Sequence, residues 1–467
     1  MSFQLSAFFF IGITIIAFYI ALPGLKPGIL AAVSLLFCLL IDRSAFVVLL
    51  SVTFFTYIIA RVLGSLKGDK ERKVVLCVSV FLLASILTLW KYMSGPEVSA
   101  IKIALPVGLS FYTFQAISYI ADVYKRKYTA EKNIVKYILY MSWFPKLVSG
   151  PIERAETFLP QLDRLSDARL FDGQRIIKSL SYIIWGLFLK LMIADRAGII
   201  VDGIFMKHDQ HGKVMLITGS LLYTIQIYCD FAGYTDIMVG ISYLFGIDLT
   251  QNFRTPYFAQ NITEFWRSWH ISLSSFLRDY VYIPLGGNRK GLIRKYINTM
   301  IVFFICGMWH GRGLKFIVWG LLHGIYSVLA DMLKDTKLSF AFRGAIGSVI
   351  TFCCVSFAWI FFRAESLGMA IRYILAVFTS VPINQSFEYE IIKTGSTPLQ
   401  MTILLIGIAV VFVADLAAYR RRTLVPEMFI NTGEIRRNMG FLIFTVAFLI
   451  FGIYGNEDVK SFIYMNF

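Results

Sequence analysis

Long apolar stretches recur along the whole chain and constrain its fold more than any other feature. Val74–Trp90, Met401–Val413 and Phe441–Ile453 are composed almost entirely of hydrophobic residues. Continuous apolar runs of about 20 residues are typical of membrane-spanning helices, whereas the strands of a transmembrane β-barrel alternate in polarity. Only 16% of the 467 residues are charged, against about 25% in soluble proteins. The sequence therefore predicts an all-α polytopic membrane protein.

The apolar segments are separated by short polar loops, and several of them are too short to cross a bilayer alone. We therefore expect roughly eleven or twelve tilted membrane helices, some of them re-entrant. The chain contains no repeat and no soluble domain, which predicts a single membrane domain over residues 1–467. The predicted segments lie near 5–22, 28–41, 44–60, 74–91, 101–121, 134–149, 175–193, 214–229, 231–246, 296–309, 312–333, 344–362, 398–418 and 438–454.

Basic residues are concentrated in the loops between these segments and give the chain a net charge of +16. Cytoplasmic loops of membrane proteins carry such an excess of Lys and Arg, so the charge does not indicate a nucleic-acid partner. Arg61–Lys73 and Lys125–Lys136 are predicted to be cytoplasmic, with two segments between them. Counting crossings from these loops places both termini outside the cytoplasm, in a multi-pass protein of the plasma or inner membrane. The orientation of residues 134–250 stays open.

The region 247–295 differs from the other loops because it is long and mixes Trp, Tyr and Arg with polar residues. Aromatic and cationic side chains together are typical of the membrane interface. A connection of this length is uncommon unless it has a function. We therefore expect 247–295 to form a cytoplasmic or interfacial active-site region.

His310 is the strongest catalytic candidate among the five histidines. It ends the apolar segment Ile297–Trp309, whose 13 residues would reach only about 20 Å at 1.5 Å per residue. Because the hydrocarbon core is about 30 Å thick, the turn that carries His310 is predicted to lie inside the membrane. An ionisable residue at that depth is a functional candidate, the alternative being a packing histidine with a hydrogen-bond partner.

The other histidines divide into two groups. His270 ends a Trp-rich stretch and is either a site residue or an interfacial residue in contact with headgroups. His323 lies on the following helix and is expected to take part in packing or in a polar network. His208 and His211 lie in a polar stretch and are expected to be solvated loop residues.

Few carboxylates lie near the apolar segments. Asp230 and Asp236 flank a glycine between two apolar runs, which predicts a broken helix that lines a polar cavity or a capped helix break. Glu264, Arg278 and Asp279 belong either to the site or to interfacial ion pairs, which contribute little to stability.

No competing motif points to another chemistry. The chain has no Walker-type loop, no G-x-S-x-G elbow and no zinc spacing, and its six cysteines are scattered through apolar surroundings. We therefore expect neither a metal site nor a bound cofactor.

Several ordered motifs resemble the membrane-bound O-acyltransferase family, in its alginate O-acetyltransferase branch, over nearly the whole chain. The motifs are Leu105–Gln115, Ser149–Ile152, Asp230–Tyr234, Asn252–Phe253, Phe265–Ser274, Arg278–Tyr280, Leu285–Arg289, Trp309–Gly311 and Phe362–Glu365. The Leu285–Arg289 motif favours the polysaccharide-acetylating branch over the D-alanyl transferases of teichoic acid.

The resemblance implies a fold in which a ring of tilted helices surrounds a thinned centre, with a cytoplasmic funnel and an outer funnel that meet at a histidine. It implies that His310 is the essential catalytic histidine and that His270 is the second hallmark histidine. Residues expected to bind substrate are Trp309, Glu264, Arg278, Asp279 and Asn252.

The resemblance also implies the reaction and its partners. We expect an acetyl group to move from a cytoplasmic thioester, acetyl-CoA being the expected donor, to an extracytoplasmic polysaccharide such as alginate, peptidoglycan or another exopolysaccharide. A second, hydrolase-like acetyltransferase is expected outside the membrane. Two alternatives stay open, namely transfer of D-alanine or a lipid acyl chain, and a transporter or flippase with broken helices.

The tail 455–467 is predicted to be extracytoplasmic and ends in an aromatic hexapeptide. It resembles a C-terminal motif of the same branch, which implies that Tyr464 is catalytic: its hydroxyl would accept acetyl near His310 and pass it to the outer transferase. The alternative is an anchor that packs on the membrane interface.

Overall fold

The structure, a computed structural model, describes residues 3–93, 105–165, 172–336, 344–379 and 386–454. Throughout these ranges the regular elements are helices, without a strand. The prediction of an all-α protein is therefore confirmed. The chain divides into two compact units, one of Met1–Leu180 with Met238–Gln251 and one of Ser181–Ile237 with Asn252–Phe467. The single membrane domain over 1–467 stays a prediction.

Nine helices in the described ranges are long and apolar enough to cross a membrane, and two shorter apolar helices accompany them. The chain is therefore a multi-pass membrane protein. The nine are Pro23–Ile41, Arg43–Ser65, Asp69–Met93, Gly173–Met206, Lys213–Leu244, Leu292–His310, Leu314–Leu333, Gly344–Arg363 and Pro398–Arg421, and the shorter two are Phe10–Ile20 and Leu367–Thr379.

In the first unit, the motif Leu105–Gln115 contacts residues 146–147, which lie shortly before the motif Ser149–Ile152. Gly108 has a left-handed backbone, with φ of 76°, and a Cβ there would collide with the carbonyl oxygen of Leu147. The buried Lys146 ammonium donates to Gln115 Oε1 and to the Tyr140 carbonyl oxygen. The helices of the first unit are Phe3–Ile20, Lys26–Ile41, Arg43–Ser65, Asp69–Met93, Leu109–Tyr124, Ile134–Ser142, Phe144–Leu147 and Ala155–Leu162.

The second unit contains a helical hairpin that carries His310 at its turn. The helices Leu292–His310 and Leu314–Leu333 can approach closely because glycine has no Cβ at the contact. A Cβ on Gly307 would collide with the Phe316 carbonyl oxygen, and one on Gly320 would collide with that of Phe303. Small residues at such contacts are how membrane helices pack tightly. At the open end Lys295 Nζ binds Asp331 Oδ1 at 2.6 Å.

The remaining helices of the second unit precede or follow this hairpin in the sequence. They are Ile262–Ser268, Ile271–Leu277, Gly344–Arg363, Leu367–Thr379, Phe387–Lys393, Pro398–Arg421, Val425–Ile430 and Glu434–Phe451. Two further helices are longer than these, namely Lys213–Leu244 and a second that consists of Gly173–Phe188, the π-helical Leu189–Ala194 and Asp195–Met206.

The predicted break near Asp230 and Asp236 is wrong, because both residues lie inside the continuous helix Lys213–Leu244. A glycine inside a helix costs only about 1 kcal/mol. Here Gly233 serves packing, since a Cβ on it would meet the carbonyl oxygen of Gly186 on the neighbouring helix.

Two further segment boundaries differ from the prediction. Residues 134–149 form two short helices, Ile134–Ser142 and Phe144–Leu147, because Pro145 cannot continue the first helix. The predicted segment 438–454 overlaps the helix Glu434–Phe451, which begins and ends earlier and is not among the nine candidate spans. Three charged residues in its first turn reduce its hydropathy.

Candidate active site

His310 lies at the end of the hairpin's first helix in an aromatic enclosure. Its side chain is buried, and its ring centroid lies 4.9 Å from Trp309, 4.8 Å from Trp319 and 5.3 Å from Phe362. Gly311 ends the helix, and a Cβ on it would collide with the ring of Phe316. The turn is thus closed by packing, and the imidazole is held among apolar rings.

The helix that carries His310 is longer than predicted, and the depth of His310 in the membrane stays a prediction. The helix begins at Leu292 and so includes Arg294 and Lys295 in its first turn. From Lys295, a residue type typical of the interface, the 15 steps to His310 span roughly 22 Å. This distance is still shorter than the hydrocarbon core of about 30 Å.

His270, the second histidine that the resemblance indicated, lies next to His310. Its side chain is fully buried, and its ring centroid is 6.5 Å from that of His310, 6.0 Å from Trp309 and 4.8 Å from Phe231. His270 precedes the helix Ile271–Leu277 and has a left-handed backbone, with φ of 45°. The structure therefore brings the two predicted histidines into one buried site.

Burial lowers the pKa of His270 to about 3, because an apolar enclosure disfavours the imidazolium. The ring is therefore neutral at physiological pH. A neutral imidazole offers one N–H donor and one acceptor nitrogen, so His270 can orient a neutral polar group without placing a charge beside His310.

Asn252 fixes the backbone around His270. Its carbonyl oxygen accepts from the N–H of Ile271 at 3.0 Å, and its side-chain Oδ1 accepts from the N–H of Ser272 at 3.2 Å. The first N–H groups of a helix otherwise have no partner within the helix. Asn252 thus takes the place of a helix cap for the segment that begins with His270.

A second bond holds the other side of the same segment. The N–H of Arg254 donates to the carbonyl oxygen of Ser268 at 3.0 Å. Residues 252–254 therefore bind the chain both before and after His270. The buried amide nitrogen of Asn252 has no hydrogen-bond partner among the described residues, so this residue still has a donor to offer to a ligand.

Indole rings form the wall behind the histidines. Trp269 is buried with its ring centroid 5.1 Å from Trp359, which stacks on Trp319 at 5.5 Å. All three indoles are buried, so this wall closes the site to solvent on that side.

His323 belongs to the same aromatic cluster through a polar contact. The indole N–H of Trp266 donates to its Nδ1 at 3.3 Å, and His323 is fully buried. This placement agrees with the predicted role in packing or a polar network. The prediction for His211 is wrong: it is buried, and its Nδ1 lies 2.7 Å from Glu390 Oε2. His211 is buried because it binds the carboxylate of Glu390, which is 179 positions away and is not indicated by any local sequence pattern.

The three charged candidates have other contacts. Glu264 accepts from the N–H of Gln260 at 2.8 Å and from the hydroxyl of Tyr419 at 3.3 Å. Arg278 Nε binds Asp279 Oδ1 at 2.8 Å, and this bond raises the pKa of Arg278. The structure thus assigns Glu264 a place in a helix start and makes Arg278 and Asp279 an ion pair. Their role in substrate binding stays a prediction.

A buried charge cluster was not predicted. Lys190 Nζ lies 2.7 Å from both Asp195 Oδ1 and Asp230 Oδ1, and all three side chains are buried. Buried charges require such pairing. The neighbour of Asp230, Phe231, contacts His270, so the cluster anchors part of the site wall. A lysine within an apolar segment, with an aspartate five residues later, was the available indication.

Tyr464 and the tail 455–467 lie outside the residues that the structure describes. The proposed relay and the extracytoplasmic position of the tail therefore stay predictions.

A family model and several known proteins match this chain. Residues 130–370 match the family model described as MBOAT, membrane-bound O-acyltransferase family. The chain is 36% identical to a protein from Pseudomonas fluorescens named "Probable alginate O-acetylase". The alignment contains 310 residues, which are 66% of this chain and 60% of that protein. Over 318 residues the chain is 36% identical to a peptidoglycan O-acetyltransferase of Helicobacter pylori, with 62% and 59% covered.

A more distant relative transfers a different group. A teichoic acid D-alanyltransferase of Bacillus subtilis is 26% identical over 310 residues, which cover 61% of this chain and 76% of that protein. The chain spans about 60% of the length of the two O-acetylating relatives.

Proposed function

The chain belongs to the membrane-bound O-acyltransferase family, and from this premise we propose that it moves an acetyl group from a cytoplasmic thioester onto an extracytoplasmic polysaccharide. The observation that carries the proposal is the buried pair His270 and His310, whose ring centroids are 6.5 Å apart in the part of the chain that the family model matches. The match to the family model confirms the resemblance of the sequence motifs.

His310 is the general base of the proposed reaction. The proton of the acceptor hydroxyl moves to the imidazole while the hydroxyl oxygen attacks the thioester carbonyl carbon. The carbon–sulfur bond then breaks, and the leaving thiolate takes up the proton from the imidazolium. A positioned base contributes about 10²–10⁴-fold to such a transfer, and the apolar rings around His310 exclude water that would hydrolyse the thioester.

His270 positions the donor in this proposal. Its pKa of about 3 keeps the ring neutral, so it can hydrogen-bond the thioester or its amide groups without competing for the transferred proton. Trp309, whose ring centroid lies 6.0 Å from His270 and 4.9 Å from His310, would form the apolar wall for the acetyl group.

Acetyl-CoA is the proposed donor, and the acceptor class follows the relatives. The two relatives at 36% identity are named for O-acetylation of alginate and of peptidoglycan, both of which are polysaccharides. The relative named for D-alanyl transfer is only 26% identical, and the Leu285–Arg289 motif also favours acetylation.

The donor is charged and the polymer is outside, so a relay would join the two. We place Tyr464 in that role: its hydroxyl accepts acetyl at His310, and an outer hydrolase-like acetyltransferase removes it. A covalent intermediate divides one difficult transfer into two easier ones, and neither donor nor polymer then has to enter the membrane.

The decisive experiment follows acetyl transfer by the purified, reconstituted protein with radiolabelled acetyl-CoA. The wild type should release free thiol and label an acceptor hydroxyl, whereas His310→Ala should lose about 10²–10⁴-fold in rate. His208→Ala, outside the aromatic enclosure, serves as the matched control. Full activity of a well-inserted His310→Ala protein would contradict the base role.

Absence of any turnover by the wild type would favour the transporter alternative. Turnover with D-alanyl or long-chain acyl thioesters, but not with acetyl-CoA, would keep the family chemistry and replace the proposed donor.

A further inference from the structure

The second unit contains an apolar cavity of about 610 Å³ that is separate from the two histidines. It lies between the helices Lys213–Leu244, Gly344–Arg363 and Pro398–Arg421, with Phe258 of a short 3-10 turn in its wall. Val349 and Phe412 line it and are also exposed. In a multi-pass membrane protein, such exposed apolar side chains face lipid, so hydrocarbon can enter this cavity from the side.

The length of the cavity matches one leaflet of a bilayer. Along the helix Pro398–Arg421 its lining runs from Ile408 to Arg420, and these 12 steps span about 18 Å. Half of a hydrocarbon core of about 30 Å is about 15 Å. One acyl chain that extends from the interface to the bilayer centre would therefore fill it.

The two ends of the cavity differ in polarity. Arg420, Gln260 and Tyr419 line one end, and Arg420 is exposed at the last turn of its helix, followed by the exposed Arg421 and Arg422. The opposite end is apolar. Clusters of basic residues beside a membrane helix attract anionic lipid headgroups, and an arginine guanidinium matches phosphate geometry.

A polar pair in the wall does not prevent hydrocarbon from entering. The hydroxyl of Tyr228 donates to Asp415 Oδ2 at 2.8 Å, so these two groups satisfy each other. The rest of the wall at this level is formed by apolar side chains such as Phe352 and Val411.

We propose that this cavity binds one anionic phospholipid, with an acyl chain along Pro398–Arg421 and the phosphate on Arg420. Lipid binding in this cavity does not require that the chain transfers acetyl. It also reaches the histidine site indirectly, because Tyr228 and Tyr257 of the cavity wall pack on Trp269 at ring-centroid distances of 6.4 and 6.0 Å. Trp269 directly precedes His270, so a bound lipid would stabilise the segment that holds that histidine.

Lipid retention tests the proposal without any activity measurement. The full chain would be reconstituted with phosphatidylglycerol and phosphatidylcholine of identical acyl chains, released into detergent and weighed by native mass spectrometry. One phosphatidylglycerol should remain bound in preference to phosphatidylcholine. Arg420→Gln should lower its retention about tenfold, as expected for a lost charge-assisted hydrogen bond, whereas the adjacent Arg421→Gln, which does not line the cavity, should retain it.

A second variant tests the apolar part. Ala345 lines the cavity, and Ala345→Phe should fill it and abolish retention of the lipid while Arg420 remains. Equal losses in Arg420→Gln and Arg421→Gln would show general surface charge and overturn the proposal. Equal retention of both lipids, or retention by Ala345→Phe, would overturn it too. Retention of phosphatidylglycerol with no acetyl transfer would leave the lipid site intact and reject only the proposed function.

Discussion

His270 links the local environment of one side chain to the pH dependence of folding. Its pKa is about 3 in the folded protein and about 6.5 in an unfolded chain. Between these values the unfolded chain binds a proton that the folded protein does not. The stabilisation by the neutral ring is therefore complete above about pH 6.5 and is lost progressively as the pH falls toward 3.

We expect the variant His270→Asn to reduce this dependence. Asparagine tolerates the left-handed backbone at this position and cannot take up a proton. Thermal unfolding of the reconstituted protein between pH 4 and pH 7 should show a smaller decrease of the melting temperature for the variant than for the wild type. An identical decrease in both proteins would show that His270 does not contribute.

Tyr464 carries a separate prediction about its hydroxyl. Tyr464→Phe keeps the aromatic ring and removes only the oxygen, so acetylation of the polymer in cells should cease while expression stays normal. The matched variant Tyr454→Phe should acetylate normally. If Tyr464→Phe acetylates like the wild type while deletion of 462–467 does not, the tail is an anchor and the relay is wrong.

At the residue scale, the sequence predicted the pair His270 and His310 because each lies in a recognisable motif. The enclosure of the histidines was not predicted, since Trp319, Phe362 and Phe231 lie on three different helices and a motif does not show which helices pack together. The same holds for His211, whose partner Glu390 is 179 positions away. Contacts across such separations leave no periodic pattern in the sequence.

The helix Ile271–Leu277 depends on a residue outside it. Asn252→Ala should remove the side-chain acceptor for the Ser272 N–H, at a cost of about 1 kcal/mol, as for other lost helix caps. If Asn252 positions His270, the maximal rate should fall with little change in the apparent affinity for acetyl-CoA. Steady-state kinetics and thermal unfolding measure the two effects.

Asn252→Asp provides the control because it keeps the acceptor oxygen, and negative charge is favoured at a helix N-terminus. It should recover most of the rate and stability that Asn252→Ala loses. If the aspartate variant fails as the alanine variant does, the amide nitrogen of Asn252 is the important group, and a role in substrate binding is favoured.

The bounds of helices were predicted well where the length of an apolar run determines them. They were predicted poorly where a specific contact between distant residues determines them. The hairpin helices Leu292–His310 and Leu314–Leu333 correspond to two predicted segments. The continuous helix Lys213–Leu244 was missed, because Asp230 and Gly233 are typical of a helix break when read locally. Their actual partners, Lys190 and Gly186, belong to a neighbouring helix.

For the whole molecule, the orientation of the region 247–295 can be tested directly. Seven basic residues between Arg254 and Lys295 predict a cytoplasmic position for it under the positive-inside rule. Asn288 is exposed, so a cysteine there is accessible from its own side of the membrane.

In a background without the six native cysteines, Asn288→Cys should resist a membrane-impermeant thiol reagent in intact cells and react after the membrane is made permeable. A cysteine at Asn456, in the predicted outer tail, should show the opposite behaviour. Rapid labelling of Asn288→Cys in intact cells would reverse the orientation.

The π-helical turn Leu189–Ala194 makes chain length itself a requirement. Lys190 and Asp195 are five positions apart and would lie about 140° apart around an ordinary α-helix, yet here they are in contact. Because a π-helical turn contains one additional residue, deleting one residue from it would rotate everything that follows by about 100°. Lys190 could then no longer bind both aspartates. In an alignment of related chains, a one-residue gap within 189–194 would therefore identify chains whose buried lysine does not bind both aspartates in this way.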